Sequence, residues 1–219
     1  MRNSNITKKI TQGMYVLTSQ GGGCVVDAVS QISSGDKPVI SVAVMKKNYT
    51  NELLHKNRTF ALSVLGMKAN PEIIKTFGFN SMREMNKFEK VKTNQVMGVP
   101  VIADSLGYMV CEIIDVIEND THTLFIGELV EGDVYDEQEA MSYGYYQEHK
   151  EELMKVTTAK GKTAWICTLC GYVYYGETLP EDFKCPICGA GVDFFQKKDW
   201  IKKFNNSGVG QLGNNKLLV

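Results

Sequence analysis

The sequence predicts a mainly β protein in two parts, a barrel of strands with a few short helices and a small module near the C-terminal end. Between residues 13 and 135, segments rich in Val, Ile and aromatic side chains outnumber helical segments, which is the pattern of a barrel. Four cysteines in the last quarter of the chain predict the module. With 219 residues, the chain has room for one full domain and one small appended unit.

The predicted strands follow one another with short connections, over residues 14–19, 24–33, 38–45, 59–65, 108–117 and 122–134. Two short helices interrupt them: residues 51–56 follow Thr50 as a candidate N-cap, and residues 72–77 follow Pro71 at the first helical position. The glycine run 21–23 joins two strands, and neither G-x-G-x-x-G nor G-x-x-x-x-G-K occurs. The run therefore predicts a hairpin turn and not a nucleotide-phosphate loop.

Changes of composition mark the predicted domain boundaries. The barrel is expected to cover residues 1–150, and the polar, lysine-rich stretch 141–162 indicates a closing helix or arm that runs into a linker over 151–163. The cysteine-bearing module is expected over 164–204. Residues 205–219 begin as an Asn/Gly-rich segment, which predicts a flexible tail.

The four cysteines, Cys167, Cys170, Cys185 and Cys188, form two C-x-x-C pairs, each followed by glycine. Two such pairs present four thiolates to one tetrahedral metal ion, and zinc and iron both accept this ligand set. Aromatic residues favour iron, because an apolar shell excludes water from a redox centre whereas zinc has no such need. These residues are Trp165, Tyr172, Tyr174, Phe183, Phe194 and Phe195.

Composition excludes several classes of function. Lys and Arg (24) nearly balance Asp and Glu (25), and the absence of a basic run argues against nucleic-acid binding. The first residues contain no apolar segment of a signal peptide, and no apolar run is long enough to span a bilayer. Cys24 and Cys111 stand alone in apolar surroundings, as buried free thiols do. We therefore expect a cytoplasmic protein.

Residues 164–200 resemble a rubredoxin. The 14 residues between Cys170 and Cys185 match the shortened loop of the rubrerythrin-type rubredoxin domain better than the longer loop of free rubredoxins. This resemblance implies one iron ion held by the four cysteine thiolates.

Residues 8–150 resemble the flavin reductase-like family of FMN-binding split barrels. The resemblance is carried, in order, by GMYVLTS (13–19), VSQIS (29–33), SVAVMKKNYT (41–50), FALSVL (60–65), FGFNSMREMNKF (77–88), LFIGE (124–128) and MSYGYY (141–146). The chain departs from the family pattern at Asp27 and Ala28, where relatives carry Asn and a small residue, and at Met82 and Asn86, where they carry Gly and Asp.

The resemblance implies FMN and a set of residues that contact it. The phosphate would lie at the helix that Thr50 begins, with Lys46 or Lys47 adding charge, and the segment 25–31 would follow the isoalloxazine ring. The full set is Val25, Val26, Asp27, Ala28, Val29, Gln31, Lys46, Lys47, Asn48, Tyr49, Thr50, Phe79, Ser81 and Lys87. Thr50 as a simple helix cap, with solvated lysines and an ordinary half-buried strand, is the alternative.

Acid–base residues are not evident. Asp27 near a flavin would disfavour an anionic reduced ring, or would accept a hydrogen bond from it. His122 begins a predicted strand beside Thr121 and Thr123, which indicates a turn or hydrogen-bonding role, and His55 and His149 fall on predicted helix surfaces. We assign no catalytic side chain, because in flavin-dependent hydride transfer the cofactor supplies the reactive atom.

Together the two halves resemble the high-molecular-weight rubredoxins, which implies an oxidoreductase that moves electrons from NAD(P)H, or from an NADH-dependent reductase, through FMN to an iron centre. The resemblance also implies a flavodiiron-type protein as acceptor and a homodimer with FMN at its interface. Two alternatives stay open: a passive redox carrier that does not itself oxidise NAD(P)H, and a flavin or ferric reductase with a structural zinc site.

Overall fold

The computed structural model describes residues 4–153, 164–168, 172–185 and 189–198. The chain divides into two compact units, Ile10–Lys155 and a second that combines Met1–Lys9 with Val156–Val219. Residues 151–153 of the predicted linker belong to a helix, whereas the rest of that linker and the predicted tail lie outside the described residues.

The larger unit is a mainly β structure, as predicted, with three helices among its described residues. Its elements are β1 (Tyr15–Ser19), β2 (Gly22–Val26), β3 (Val29–Ser33), β4 (Val39–Met45), α1 (Tyr49–Asn57), β5 (Thr59–Val64), α2 (Pro71–Phe79), β6 (Thr93–Val96), β7 (Val99–Ile102), β8 (Gly107–Glu118), β9 (His122–Val134) and α3 (Tyr143–Leu153). A 3-10 turn, Lys87–Glu89, lies between α2 and β6. Seven of these strands form one sheet in the order β2-β1-β5-β8-β9-β4-β3, with antiparallel pairing throughout.

The sheet has an apolar cluster on each face, because neighbouring residues of a strand point to opposite sides. Leu17 of β1 joins a cluster with Phe60 and Phe125, whereas Val16 joins a cluster that also contains Phe77 of α2 and Tyr146 of α3. The first cluster fills the barrel, and the second seats α2 and α3 on the outer face.

The predicted strand 24–33 is two strands in the structure. The chain leaves β2 at Val26 and enters β3 at Val29, and between them the Val29 N–H donates to the Asp27 carbonyl at 2.9 Å. Because β2 and β3 are the two edges of the seven-stranded order, Asp27 and Ala28 carry the chain from one edge of the barrel to the other. The Ala43 N–H of β4 donates to the Ala28 carbonyl at 3.0 Å, which fixes this crossing. We call residues 25–31 the seam segment.

Two other local expectations can be compared with the structure. The glycine run does form a hairpin: the loop is Gln20 and Gly21, with Gly21 at φ 89°, while the next two glycines belong to β2. The expected N-cap Thr50 is wrong, because the Asn48 side chain accepts from the Thr50 N–H at 3.0 Å and α1 begins at Tyr49. The hairpin of β6 and β7 was not predicted.

The C-terminal unit contains a three-stranded antiparallel sheet in the order β11-β10-β12, formed by β10 (Ala164–Cys167), β11 (Val173–Tyr175) and β12 (Phe195–Lys198). The 3-10 turn Val192–Phe194 leads into β12. Among the described helices of the whole chain, none is long and apolar enough to cross a lipid bilayer.

Candidate functional site

The seam segment and the start of α1 lie side by side in the larger unit. The link is β2, where Gly22 lies against Leu53 of α1 and Cys24 is 2% exposed. Burial raises the pKa of the Cys24 thiol, and hydrogen bonding by Thr50 and Asn48 together with the nearby Lys87 opposes the rise. The structure therefore brings together two groups of residues that the sequence predicts as one site.

The start of α1 is held firmly in place. The Asn48 N–H donates to the Met45 carbonyl at 2.9 Å, and the Asn51 side chain donates to the Val44 carbonyl at 3.0 Å, so the helix is tied to the end of β4. Thr50 is 1% exposed and therefore points inward, whereas Asn48 and Tyr49 are half-buried. The first N–H groups of a helix have no partner within it and attract anions.

The two lysines before this helix differ in their surroundings. Lys46 pairs with Glu118 at 2.8 Å, and Glu118 also accepts from Thr123 and lies 3.4 Å from His55 Nε2. The hydrogen bond from Lys46 is the main cause that lowers the pKa of the Glu118 carboxyl, which burial opposes. Lys47 is exposed, and no carboxylate pairs with it among the residues that the structure describes.

From Val26 to Gln31, the residues of the seam segment become more exposed along the chain. Val26 is buried, Asp27, Ala28 and Val29 are half-buried, and Gln31 is exposed, with its amide donating to the Ser33 carbonyl at 3.1 Å. Val25 is half-buried as well. A half-buried segment between two edge strands leaves part of its surface accessible, as a binding surface for a planar ring requires.

The loop after α2 reaches back to α1. Phe79 and Ser81 are half-buried, and the Ser81 hydroxyl accepts from the Arg83 N–H at 3.2 Å. Arg83 pairs with Glu52 of α1, and its guanidinium carbon lies 4.9 Å from the centre of the Tyr49 ring. Sequence reasoning did not single out Arg83, although it stands within the string 77–88 that carries the resemblance.

Lys87 is buried, with 2% of its surface exposed. Its ammonium donates to the Gly23 carbonyl at 2.8 Å and to the Phe77 carbonyl at 3.2 Å. Burial lowers the pKa of Lys87 to about 8, and Cys24 opposes this shift. In this structure the amine is therefore hydrogen-bonded to backbone carbonyls beside the site.

None of the three histidines is placed as a catalytic base in the described residues. His122 begins β9 with Thr121 Oγ1 2.8 Å from its Nδ1, as the hydrogen-bonding role predicts. His55 packs edge-on against Phe125, and His149 stacks on Tyr145. Both lie on helices, also as predicted.

In the C-terminal unit, Cys167 and Cys185 are buried in one cluster with Ala190 and Phe195. Their backbones are equivalent: the Cys167 N–H donates to the Tyr172 carbonyl and the Cys185 N–H to the Ala190 carbonyl, both at 2.8 Å and both five residues ahead. The half-buried side chains that surround them are Trp165, Tyr172, Tyr174, Leu179 and Phe183. Of the predicted aromatic shell, Phe194 is 44% exposed.

Cys170 and Cys188 lie outside the described residues, so the site of four thiolates stays a prediction. The Gly189 N–H also donates to the Cys185 carbonyl at 2.8 Å, and two buried thiols with this backbone bonding suit a thiolate centre. Soft thiolates in an apolar shell suit iron or zinc.

Comparisons with known proteins agree with both units. The flavin reductase like domain model matches residues 7–154, and the model of the rubredoxin-like domain of rubrerythrin matches residues 165–196. The chain is 34% identical to the high molecular weight rubredoxin of Moorella thermoacetica over 221 residues, covering 86% of this chain and 96% of that protein. It is also 34% identical to the ferric-chelate reductase (NAD(P)H) of Archaeoglobus fulgidus, over 74% of this chain and 93% of that protein.

A solved structure supports the fold of the larger unit. The NADH:FAD oxidoreductase SgcE6 of Streptomyces globisporus C-1027 superimposes with a TM-score of 0.58 at 23% identity, covering 63% of this chain and 84% of that one.

Proposed function

We propose that this protein passes electrons from NAD(P)H through FMN and one iron ion to a soluble acceptor. The chain belongs to the flavin reductase-like domain family and carries a rubredoxin-like domain, so it is a flavin oxidoreductase. The observation that carries the proposal is the packing of α1 against β2, where Leu53 of α1 lies against Gly22. Because the seam segment begins at Val25 of the same strand, this packing places it beside α1.

The start of α1 would hold the phosphate of FMN. Its first N–H groups and the positive end of its dipole attract an anion, and Lys47 adds a charge that no described carboxylate neutralises. Ser81, half-buried on the neighbouring loop, offers a hydroxyl, and Arg83 of the same loop lies over the Tyr49 ring. FMN, with one phosphate, fits one helix start.

The seam segment would hold the ring. Val25, Val26 and Val29 offer apolar surface, and Asp27, Ala28 and Gln31 offer polar groups of backbone and side chain. Bound flavin supplies an atom that accepts hydride and returns electrons singly, so the protein mainly orients the ring and controls its surroundings. If the flavin supplies the reactive atom and the protein orients it, the site needs no catalytic acid or base, and we assign none.

Four thiolates, from Cys167, Cys170, Cys185 and Cys188, would hold the iron. Iron in such a site exchanges one electron at a time, and an aromatic shell sets its potential by excluding water. The half-buried Trp165, whose indole N–H donates to the Gly176 carbonyl at 3.2 Å, is part of that shell.

The acceptor that we propose is a flavodiiron-type protein. The described part of the C-terminal unit exposes Glu177, Glu181, Asp182 and Asp193, and such acidic surface would steer docking to a basic patch. We also propose a cytoplasmic location, which the free thiols of the buried Cys24 and Cys111 support.

A homodimer is part of the proposal. The exposed Ile114 (54%) and Ile117 (44%) of β8 would be covered by a second copy. Light scattering on the whole chain should give twice the mass of one chain, and a monomer at micromolar concentration would remove this part.

Purified whole chain from iron-replete cells tests the central proposal. We expect flavin and one iron per chain, an absorption spectrum in which both centres contribute, and bleaching of both by NADH or NADPH. One zinc and no iron would identify the structural-zinc alternative. Bleaching by dithionite but by neither nucleotide would identify a passive carrier.

A further inference from the structure

The amine of Lys87 is the most deeply buried charged group of the larger unit whose contacts the structure describes. Burying an ammonium is unfavourable unless hydrogen bonds compensate it. Two do so, to the carbonyls of Gly23 (2.8 Å) and Phe77 (3.2 Å), and the amine also lies 5.5 Å from the centre of the Phe77 ring. A lysine that is buried with its amine bound to two backbone carbonyls indicates a specific role.

The two carbonyls belong to the two elements that flank the proposed ring site. Gly23 lies in β2, two residues before Val25, where the seam segment begins. Phe77 lies in the last turn of α2, two residues before Phe79, and carbonyls at a helix C-terminus attract cations. Lys87 itself begins the 3-10 turn that follows the loop carrying Ser81.

Packing at Gly23 shows how closely these elements approach. A Cβ on Gly23 would lie 2.7 Å from the Leu17 carbonyl oxygen and 3.1 Å from Cε1 of Phe77. Only glycine lets β2 lie this close to the Phe77 ring, and that closeness brings both carbonyls within reach of one amine.

We infer that Lys87 is a positioning residue for the flavin site: it holds β2 to the C-terminal turn of α2 through the carbonyls of Gly23 and Phe77, and so keeps the seam segment in the arrangement that binds the flavin ring. This inference rests on the proposed function. The family resemblance implies that Lys87 contacts the flavin directly, whereas here we infer that Lys87 binds backbone carbonyls instead.

Two ligands separate a positioning role from a contact with the phosphate, because riboflavin has the ring of FMN but lacks its phosphate. We call the two hydrogen bonds of Lys87 the clamp. Without the clamp, the seam segment has its binding-competent arrangement in a smaller fraction of the molecules. The apparent Kd then rises in proportion for any ligand that needs the ring site. Lys87→Met keeps the length of the side chain and removes its donors. We expect it to weaken FMN and riboflavin alike, by roughly tenfold.

The matched control is Lys90→Met, three residues further on, at an exposed position. It should change neither affinity. Binding is measured by fluorescence titration of the flavin-free whole chain at pH 7, with far-UV circular dichroism to verify folding. Visible-region circular dichroism of the bound flavin at saturation should differ from that of the wild type for Lys87→Met and not for Lys90→Met, because only the former alters the surroundings of the ring.

Three outcomes decide the inference. Equal loss for both ligands supports it; loss for FMN alone would show that Lys87 contacts the phosphate; no loss for either would show that the clamp does not matter for binding. If Lys87→Met does not fold, Lys87→Leu, which also lacks donors, takes its place with the same three outcomes. Failure of the wild type to bind either flavin would instead overturn the proposed function.

Discussion

At the scale of single residues, the two lysines before α1 are not equivalent, although the sequence presents them as neighbours of the same kind. The ammonium of Lys46 is engaged with Glu118 at 2.8 Å, and that carboxylate also holds Thr123. Lys47 is exposed and lies one residue before the cap Asn48. An arriving phosphate can therefore use Lys47 without breaking an ion pair.

Lys47→Ala should weaken FMN and leave riboflavin unchanged. A charge at an exposed helix start contributes about 1 kcal/mol, so we expect a roughly fivefold rise in the Kd for FMN that shrinks at high salt. Fluorescence titration with both ligands measures it. Lys56→Ala, at the other end of α1 and also exposed, is the control, and an unchanged Kd for FMN in Lys47→Ala would place the phosphate elsewhere.

The burial of Lys87 makes stability depend on pH. Its pKa is about 8 in the folded chain, against about 10.4 for an unfolded lysine, so between these values the unfolded state binds more protons. Stability due to this group is therefore lowest below pH 8 and rises as the pH approaches 10. Urea unfolding of the wild type and Lys87→Met at pH 7 and pH 9.5 should show the wild type gaining relative to the variant. An unchanged difference would mean that Lys87 titrates normally.

The sequence predicts which residues gather at the site better than what each of them does. Asn48 and Thr50 are both good cap residues, and only the hydrogen bond from the Thr50 N–H to the Asn48 side chain shows that Asn48 caps α1. Lys87 carries no sign of burial in its own neighbourhood, because Gly23 and Phe77, which bind it, are distant in sequence or belong to another element.

At the scale of elements, the seam segment shows why strand boundaries are hard to predict. Residues 24–33 have the composition of one strand, yet the chain changes partner after Val26, from β1 to β4. This change is required by closure of the sheet, which local sequence does not encode. The β6–β7 hairpin escaped prediction because its strands have four residues each, one contains Pro100, and its turn places Met97 at φ 49°.

Gly23→Ala should destabilise the larger unit through a clash with the backbone of β1. The new Cβ would meet the Leu17 carbonyl at 2.7 Å, and backbone cannot move aside as a side chain does, so we expect a loss of roughly 1 to 3 kcal/mol. The melting temperature should fall by roughly 3 to 10 °C. The control is Gly144→Ala in α3, where the nearest atom is Ser142 Oγ at 3.8 Å, and it should be neutral or slightly stabilising. Equal melting temperatures would mean that β2 lies further from β1 than described.

At the scale of the whole molecule, the sequence allowed the two-part organisation to be predicted because each part has its own signal. The larger unit carries seven strings in register, and the smaller carries two C-x-x-C pairs with aromatic neighbours. Both predictions are confirmed by family matches over 7–154 and 165–196. The identity of the acceptor has no comparable signal, because it depends on a surface of another protein.

Truncation after Lys155 tests whether electrons pass through the C-terminal unit. The larger unit, Ile10–Lys155, contains the seam segment, α1 and Lys87, so the truncated chain should still bind FMN and be reduced by the same donor. Transfer to a flavodiiron-type acceptor should fall to the background rate, since the thiolate centre is missing. Full-length Cys185→Ser, which alters one buried predicted ligand, should reproduce the loss with the unit still attached, and Lys184→Ser at the exposed neighbouring position should not. If the truncated chain turns over the acceptor as fast as the whole chain, the rubredoxin-like domain is not on the electron path.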